Sequence, residues 1–475
     1  MRVPTAVVSI ALAALLTSVP VIAQTNGKKP PDRDVAAPVD EISRLMNLAF
    51  EAPALQQQDA INRLVKRNNP DAVATLMLAL RFTGPDDALL KALSALTGQA
   101  IGDWNDAMLW QEAHPEIKPH PSYRDLKLKM YKRIDPAFMR FLGGERSSPQ
   151  KMRIRLEEIA WGGVRVDGIP SLDNPKLITA AEAGYLGEAN LVFGVSINGD
   201  SRAYPLRIMG WHEMFNEVIG GVPVALAYCT LCGAGILFET TGNPPNKPFV
   251  FGSSGFLYRS NKLMFDRATD SLWNQFTGEP VSGPLVDSGI KLKRRPVIIT
   301  SWGEWKKTHP DTKVLSNRTG FQRDYGEGVV YREYFRSTDL MFPALAGDES
   351  RVRRKDYVFG VTDVGATKAW PLDVFKPDLL GSVGKVINDI VGTRNLVLIG
   401  DASTRSVRAY DRGGDTFTAI VGSDKLAGPG GEWSLTEDAL SGPGGQKRER
   451  VAGHISYWFA WNNYYGVKSA LYGKE

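Results

Sequence analysis

The sequence is poor in metal-binding and redox side chains: 475 residues carry two cysteines and five histidines. With Cys229 and Cys232 as the whole supply of thiols, a complete four-cysteine zinc site is excluded. Long apolar runs are also missing. Beyond the amino terminus no stretch approaches the roughly 20 apolar residues that a membrane helix needs. Excess charge is small, at +5 from 57 Lys+Arg and 52 Asp+Glu. That is too mild to mark a nucleic-acid partner, and basic clusters such as residues 351–355 read as solvated surface. Several active-site signatures start and then fail. His212-Glu213 opens like a zinc-protease helix, but the second histidine position is Asn216. Gly252-Ser253-Ser254-Gly255 lacks the spacing of a nucleophile elbow and is too short for a phosphate-binding Walker loop.

What is present reads as a globular protein, with 43% apolar and 23% charged residues. Residues 1–23 read as an export signal. Arg2 supplies the positive start, residues 6–16 are apolar apart from Ser9, and Val21-Ile22-Ala23 fits a small-residue cleavage rule. An uncleaved anchor is the other reading, although the apolar run is short for it. The mature protein is therefore expected in a periplasm or outside the cell, with no membrane span after cleavage. A cysteine pair there can be oxidised.

The expected fold class is α+β. Residues 24–38 form a polar, proline-rich, disordered leader. Residues 39–144 carry apolar stripes at helical period (Ile42, Leu45, Met46 and Ala49, then Ile61, Leu64 and Val65), punctuated by Asn69-Pro70 and Gly84-Pro85. These helix pairs are similar to HEAT-like repeats, which makes this region the expected dock for a protein partner. Residues 145–190 are a connector rich in turns, and β-prone runs follow. Phe193-Gly194-Val195 and Ala203-Tyr204-Pro205-Leu206 recur as Phe359-Gly360-Val361 and Ala369-Trp370-Pro371-Leu372. Asn216 and Gly220 answer Asn388 and Gly392, Trp273 answers Trp433, and Trp302 with Trp305 answer Trp458 with Trp461. The spacing predicts two duplicated lobes, residues 191–320 and 357–475, joined by a linker at 321–356. Cys229 and Cys232 fall opposite Asp401 and Thr404, so the second lobe lacks the cysteines.

Chemistry concentrates at Tyr228-Cys229-Thr230-Leu231-Cys232-Gly233. Short apolar, β-prone runs flank it, giving strand, tight turn, strand. A Cys-x-x-Cys-Gly tip of this kind is similar to the metal knuckle of zinc ribbons and rubredoxins. A metal site would take Cys229, Cys232 and His212, with Met264 as a fourth donor; this soft set favours copper over zinc. The alternatives are a periplasmic thiol-disulfide redox pair, two inert thiols, and a non-catalytic ligand-binding module. Glu213, Asn261, Asp266, Arg267 and Trp273, with Gln275, are candidates to line a polar cleft beside the cysteines. No enzymatic activity is assigned.

Taken together, Gly199-Asp200-Ser201-Arg202-Ala203-Tyr204-Pro205-Leu206-Arg207, Trp211-His212-Glu213, the Cys-x-x-Cys-Gly segment, Phe251-Gly252-Ser253-Ser254-Gly255-Phe256-Leu257-Tyr258 and Leu263-Met264-Phe265-Asp266-Arg267 resemble the family catalogued as domain of unknown function 3179. The resemblance runs from about Val164 to the carboxyl terminus. The family usually places proline where this chain has Thr230, and it implies no activity.

Overall fold

The computed structural model describes residues 40–143, 151–242, 247–345, 349–377 and 383–473. The expected export signal and leader lie outside them. From Glu41–Glu51 to Met139–Leu142 the chain is helical, and a β-rich region follows, so the protein is α+β. The buried sides of the first two helices carry the expected stripes, Leu45, Met46 and Ala49, then Ala60, Ile61 and Leu64. Asp86 caps the helix Asp87–Thr97 by accepting the Leu89 N–H, and left-handed Gly98 ends it. The helix Val73–Thr83 is buried from Val73 to Leu80 because Asp87–Thr97, Trp104–Ala113 and Tyr123–Ile134 all pack on it.

The helices keep no core to themselves. They share one apolar cluster with the five-stranded sheet that contains Phe251–Tyr258 and Asn261–Asp266. Phe138 stacks on Phe256 at 4.5 Å, and Phe141 meets Phe265 at 4.9 Å. The helical region thus covers one face of that sheet.

In the β-rich region one pairing scheme occurs twice. The hairpin Leu191–Ile197/Asp200–Pro205 takes Ile298–Ser301 antiparallel on its first strand and Lys313–Leu315 parallel on its second. The hairpin Tyr357–Asp363/Ala366–Pro371 takes Gly453–Tyr457 and Ser469–Leu471 in the same senses. The antiparallel outer strand of each sheet leads into a short helix, Trp302–Thr308 or Trp458–Tyr465. Each helix then lays an indole over the glycine of the facing strand, Trp305 over Gly194 and Trp461 over Gly360. Both indole N–H groups donate to hydroxyls, Thr312 at 2.9 Å and Ser469 at 2.8 Å. Beside these sheets run two more three-strand meanders, Met214–Ile219, Val222–Cys229, Ala234–Glu239 and Lys385–Val391, Arg394–Asp401, Ser406–Asp411.

One asparagine ties each meander to the chain beyond it, in the same manner. Asn216 accepts the Phe251 N–H and donates to its carbonyl, both at 2.9 Å. Asn388 treats Phe417 likewise, at 3.1 and 2.8 Å. Phe251 stands edge-on to Trp273, and Phe417 to Trp433, both at 87°. The two halves bury one common core, in which Phe193, Leu226 and Leu237 meet Phe359, Leu398 and Ile455.

An added Cβ at Gly194 would lie 2.4 Å from the Trp305 ring, and one at Gly360 would lie 1.9 Å from Trp461. Gly194→Ala and Gly360→Ala should therefore each lower stability by about 1–3 kcal/mol through overpacking, with Gly360→Ala the worse. Urea denaturation midpoints at unchanged m-value check this.

Candidate functional site

Strand pairing ends at Cys229↔Ala234, leaving Thr230 to Gly233 as the turn. The Cys232 N–H bonds the Cys229 carbonyl and the Gly233 N–H bonds the Thr230 carbonyl, both at 3.2 Å. Gly233 has φ +60°, and an added Cβ there would meet the Tyr357 ring at 2.7 Å. The turn thereby brings both sulfurs to the same side, 2.8 Å apart, as free thiols. Both cysteines are buried.

The sulfurs sit in a polar cradle inside an apolar cluster. Asn261 Nδ2 donates to Cys232 Sγ at 3.3 Å and to Gln275 Oε1 at 2.6 Å. Gln275 is itself fixed, donating to the carbonyls of Ala227 and Ala234 on the two hairpin strands. Cys232 Sγ lies 3.4 Å from the Ser260 carbonyl. Burial pushes the Cys232 thiol well above its ordinary pKa, and the neighbouring Cys229 adds to the effect. The group is thus held as a thiol.

Beneath the turn lies a buried ion pair. Glu213 Oε2 and Lys262 Nζ are 3.2 Å apart, and Glu213 Oε1 accepts the Thr230 hydroxyl at 2.6 Å. Thr230 consequently has a task that proline could not perform. Removing one partner of a buried pair strands the other, at a cost of about 3–5 kcal/mol.

The cover comes from elsewhere in the chain. Tyr331 packs against the cysteines' apolar cluster, and the Tyr334 hydroxyl donates to the Leu231 carbonyl at 2.5 Å. Both belong to residues 321–356, expected as a linker; Phe342, Ala344 and Val352 of the same segment join the cysteines' apolar cluster. From the second half, the Tyr457 N–H donates to the Cys232 carbonyl at 2.8 Å.

His212 is not among these groups. Its Nδ1 bonds the Pro170 carbonyl at 2.9 Å, and its Nε2 faces the Tyr325 hydroxyl at 2.6 Å. The carbonyl can only accept, so Nδ1 carries the proton and Nε2 accepts from Tyr325. Both nitrogens are committed away from the sulfurs. The physical reason is the left-handed Glu213, φ 54°, which ends the helix Leu206–His212 and sends its own side chain to the cysteine turn while the imidazole points elsewhere. Met264 is buried in the cysteines' apolar cluster. Among the described residues no group of three or more His, Cys, Asp or Glu side chains is placed to hold a metal ion. The polar groups around the turn are the two thiols, amide and carbonyl groups and the Glu213 carboxylate, which is already paired with Lys262.

The expected cleft residues divide. Glu213 and Asn261 belong to the site. Asp266 instead closes its own turn, accepting from the Thr269 N–H, the Thr269 hydroxyl and the Trp273 indole. Arg267 forms a two-pronged pair with Asp167 at 2.8 and 3.0 Å, and Trp273 packs edge-on to Phe249 and Phe251. Lys262 escaped the sequence reading, although a lysine inside the apolar run at 261–266 demands a buried anion. Nothing local to residues 331, 334 or 457 signalled that these tyrosine positions would close over the turn.

His454 is a different buried histidine, with neither ring nitrogen bonded to a protein group. Burial, then the nearby Arg294, holds its pKa well below 6.5. The unfolded chain therefore takes up a proton that the folded one refuses. Stability should fall as pH drops below about 6.5, by up to about 1.4 kcal/mol per unit. His454→Phe should flatten that slope in denaturation curves taken from pH 7 to 5, whereas an unchanged slope would contradict the assignment.

A family model described as Protein of unknown function (DUF3179) matches residues 166–467. No curated protein and no solved structure matches the chain.

Proposed function

The chain belongs to the DUF3179 family, and from that premise we propose that it is an exported thiol-disulfide redox protein whose working pair is Cys229 and Cys232. The observation that carries this reading is the approach of two free thiols to 2.8 Å in a tight turn. A disulfide needs about 2.05 Å, a small closure. In the oxidation the two thiols lose two protons and two electrons to a disulfide-bearing partner, which leaves as its dithiol. Both the dithiol and the disulfide are neutral and suit a dry site, whereas the thiolate intermediate does not. Exchange therefore requires the cover formed by Tyr331 and Tyr334 to lift. The export signal read in residues 1–23 supports an oxidising location.

The recurring pairing scheme, the Asn216/Asn388 clamps and the two indole-over-glycine contacts support the reading of two duplicated lobes. Only the first copy carries the thiols. The HEAT-like reading of the helices rests on their sequence period, and their packing against the sheet makes them a cap on the redox lobe.

Equilibration with graded glutathione buffers, read by mass after alkylation, tests the assignment. The expected midpoint lies between about −270 and −120 mV, the span of dithiol oxidoreductases. A midpoint below about −300 mV would mark a structural bridge instead. Stoichiometric metal on protein purified without chelator, lost in Cys229→Ser, would restore the metal reading. Alkylation of the reduced native protein should be slow at pH 7 and should climb with pH past 9, as the raised Cys232 thiol ionises. A rate that levels off near pH 8 would contradict the buried-thiol account.

A further inference from the structure

Beside the cysteine turn opens a cleft of about 870 Å³, within the size range of small-molecule sites. Its walls carry six cations, Arg207, Arg336, Arg353, Arg354, Lys355 and Arg405, against four acids, Glu327, Asp339, Glu349 and Asp356. Two cations are neutralised within the wall, Arg353 by Asp356 at 2.9 Å and Arg354 by Glu349 at 2.5 Å. The other four make no close ion pair among the described residues, although Asp339 lies near enough to act on the Lys355 charge. Arg207 donates to the carbonyls of Tyr185 and Tyr325 and to Asn190. Lys355 donates to the carbonyls of Tyr334 and Ser337. Arg405 donates to the Tyr357 hydroxyl at 3.0 Å and lies 4.4 Å above that ring. Arg336 is exposed and makes no ion pair among the described residues.

The floor is aromatic. Tyr357 and Tyr457 stack at 4.5 Å with their hydroxyls 3.1 Å apart, and Tyr228 lies beside them. In the other half of the molecule the strand positions paired as Tyr357 is with Tyr457 hold Leu191 and Ser301. The aromatic floor is thus confined to one side. Arg405 also sits at φ 57°, a left-handed position that a side chain adopts at some cost. It occupies the turn position that Gly233 holds in the cysteine hairpin, so the arginine is accommodated despite the backbone, and its guanidinium lies on the cleft floor.

We propose that this cleft binds a small organic anion carrying carboxylate or phosphate groups, with the charge held by Arg405, Arg336 and Lys355 and the body laid on the Tyr357–Tyr457 stack. Six cations against four acids leave a net positive field that an anion completes. Guanidinium groups suit such oxygens because they can bond two at once. The proposal stands on the cleft alone and holds whatever the oxidation state of the cysteines.

Isothermal titration of the purified protein with citrate, with inorganic phosphate and with glucose tests it. At least one anion should bind with one-to-one stoichiometry and a Kd below about 1 mM, weakening as sodium chloride is added, while glucose should not bind. Citrate without phosphate would assign a carboxylate ligand, and phosphate without citrate a phosphorylated one. Arg405→Gln and Arg336→Gln should each weaken binding at least tenfold, Arg405→Lys should retain most of it, and Lys91→Gln, on an exposed helix face, should match the parent. Arg336 is exposed, so its variant reports on binding even where changes at Arg405 disturb folding. Failure of both anions to bind, or equal binding by Arg336→Gln and Lys91→Gln, would overturn the proposal.

Discussion

The docking of the cysteine turn onto the second half of the chain is the constraint on which the site depends. Gly233 can approach the Tyr357 ring only because it has no side chain and accepts a left-handed backbone. That approach aligns the Cys232 carbonyl with the Tyr457 N–H. Once docked, the turn is walled by tyrosines above and by the Glu213–Lys262 pair below. Neither wall belongs to the hairpin itself. An isolated hairpin with two cysteines would be exposed and flexible; here both are buried, and burial holds Cys232 as the thiol.

The cysteine pair and the cationic cleft share that docking surface. Tyr228, one residue before Cys229, lines the cleft, and Tyr457 joins the cleft floor to the Cys232 carbonyl. A change of geometry at the sulfurs is therefore one hydrogen bond away from the cleft. The second half contributes the floor but no thiols, because Asp401 and Thr404 end the corresponding turn and bond with Ser403 and Ser406. One turn holds the thiols, while its counterpart supplies Arg405.

Much of this architecture was legible in the sequence. Apolar period marked the helices, and the short flanking runs marked the cysteine hairpin. The order of Phe193, Trp305, Phe359 and Trp461 pointed to the recurring scheme that the strand pairing displays. The site was legible only in part. Glu213 and Asn261 were candidates and reach the turn, but His212, one residue from Glu213, does not. Adjacent residues diverge there because a left-handed backbone at Glu213 ends the helix, and no residue type at that position announces it. The tyrosines at 331 and 334 were hidden in a segment without period. Their role comes from long-range packing, which local patterns do not encode.

Amide hydrogen exchange at Tyr457 in the reduced protein tests the docking most directly. If the turn is seated as described, this amide should exchange only through large-scale unfolding, and Gly233→Ala should speed it markedly by forcing the turn off the Tyr357 ring. Exchange at the rate of an open surface amide in the parent protein, or no change in the variant, would contradict the account.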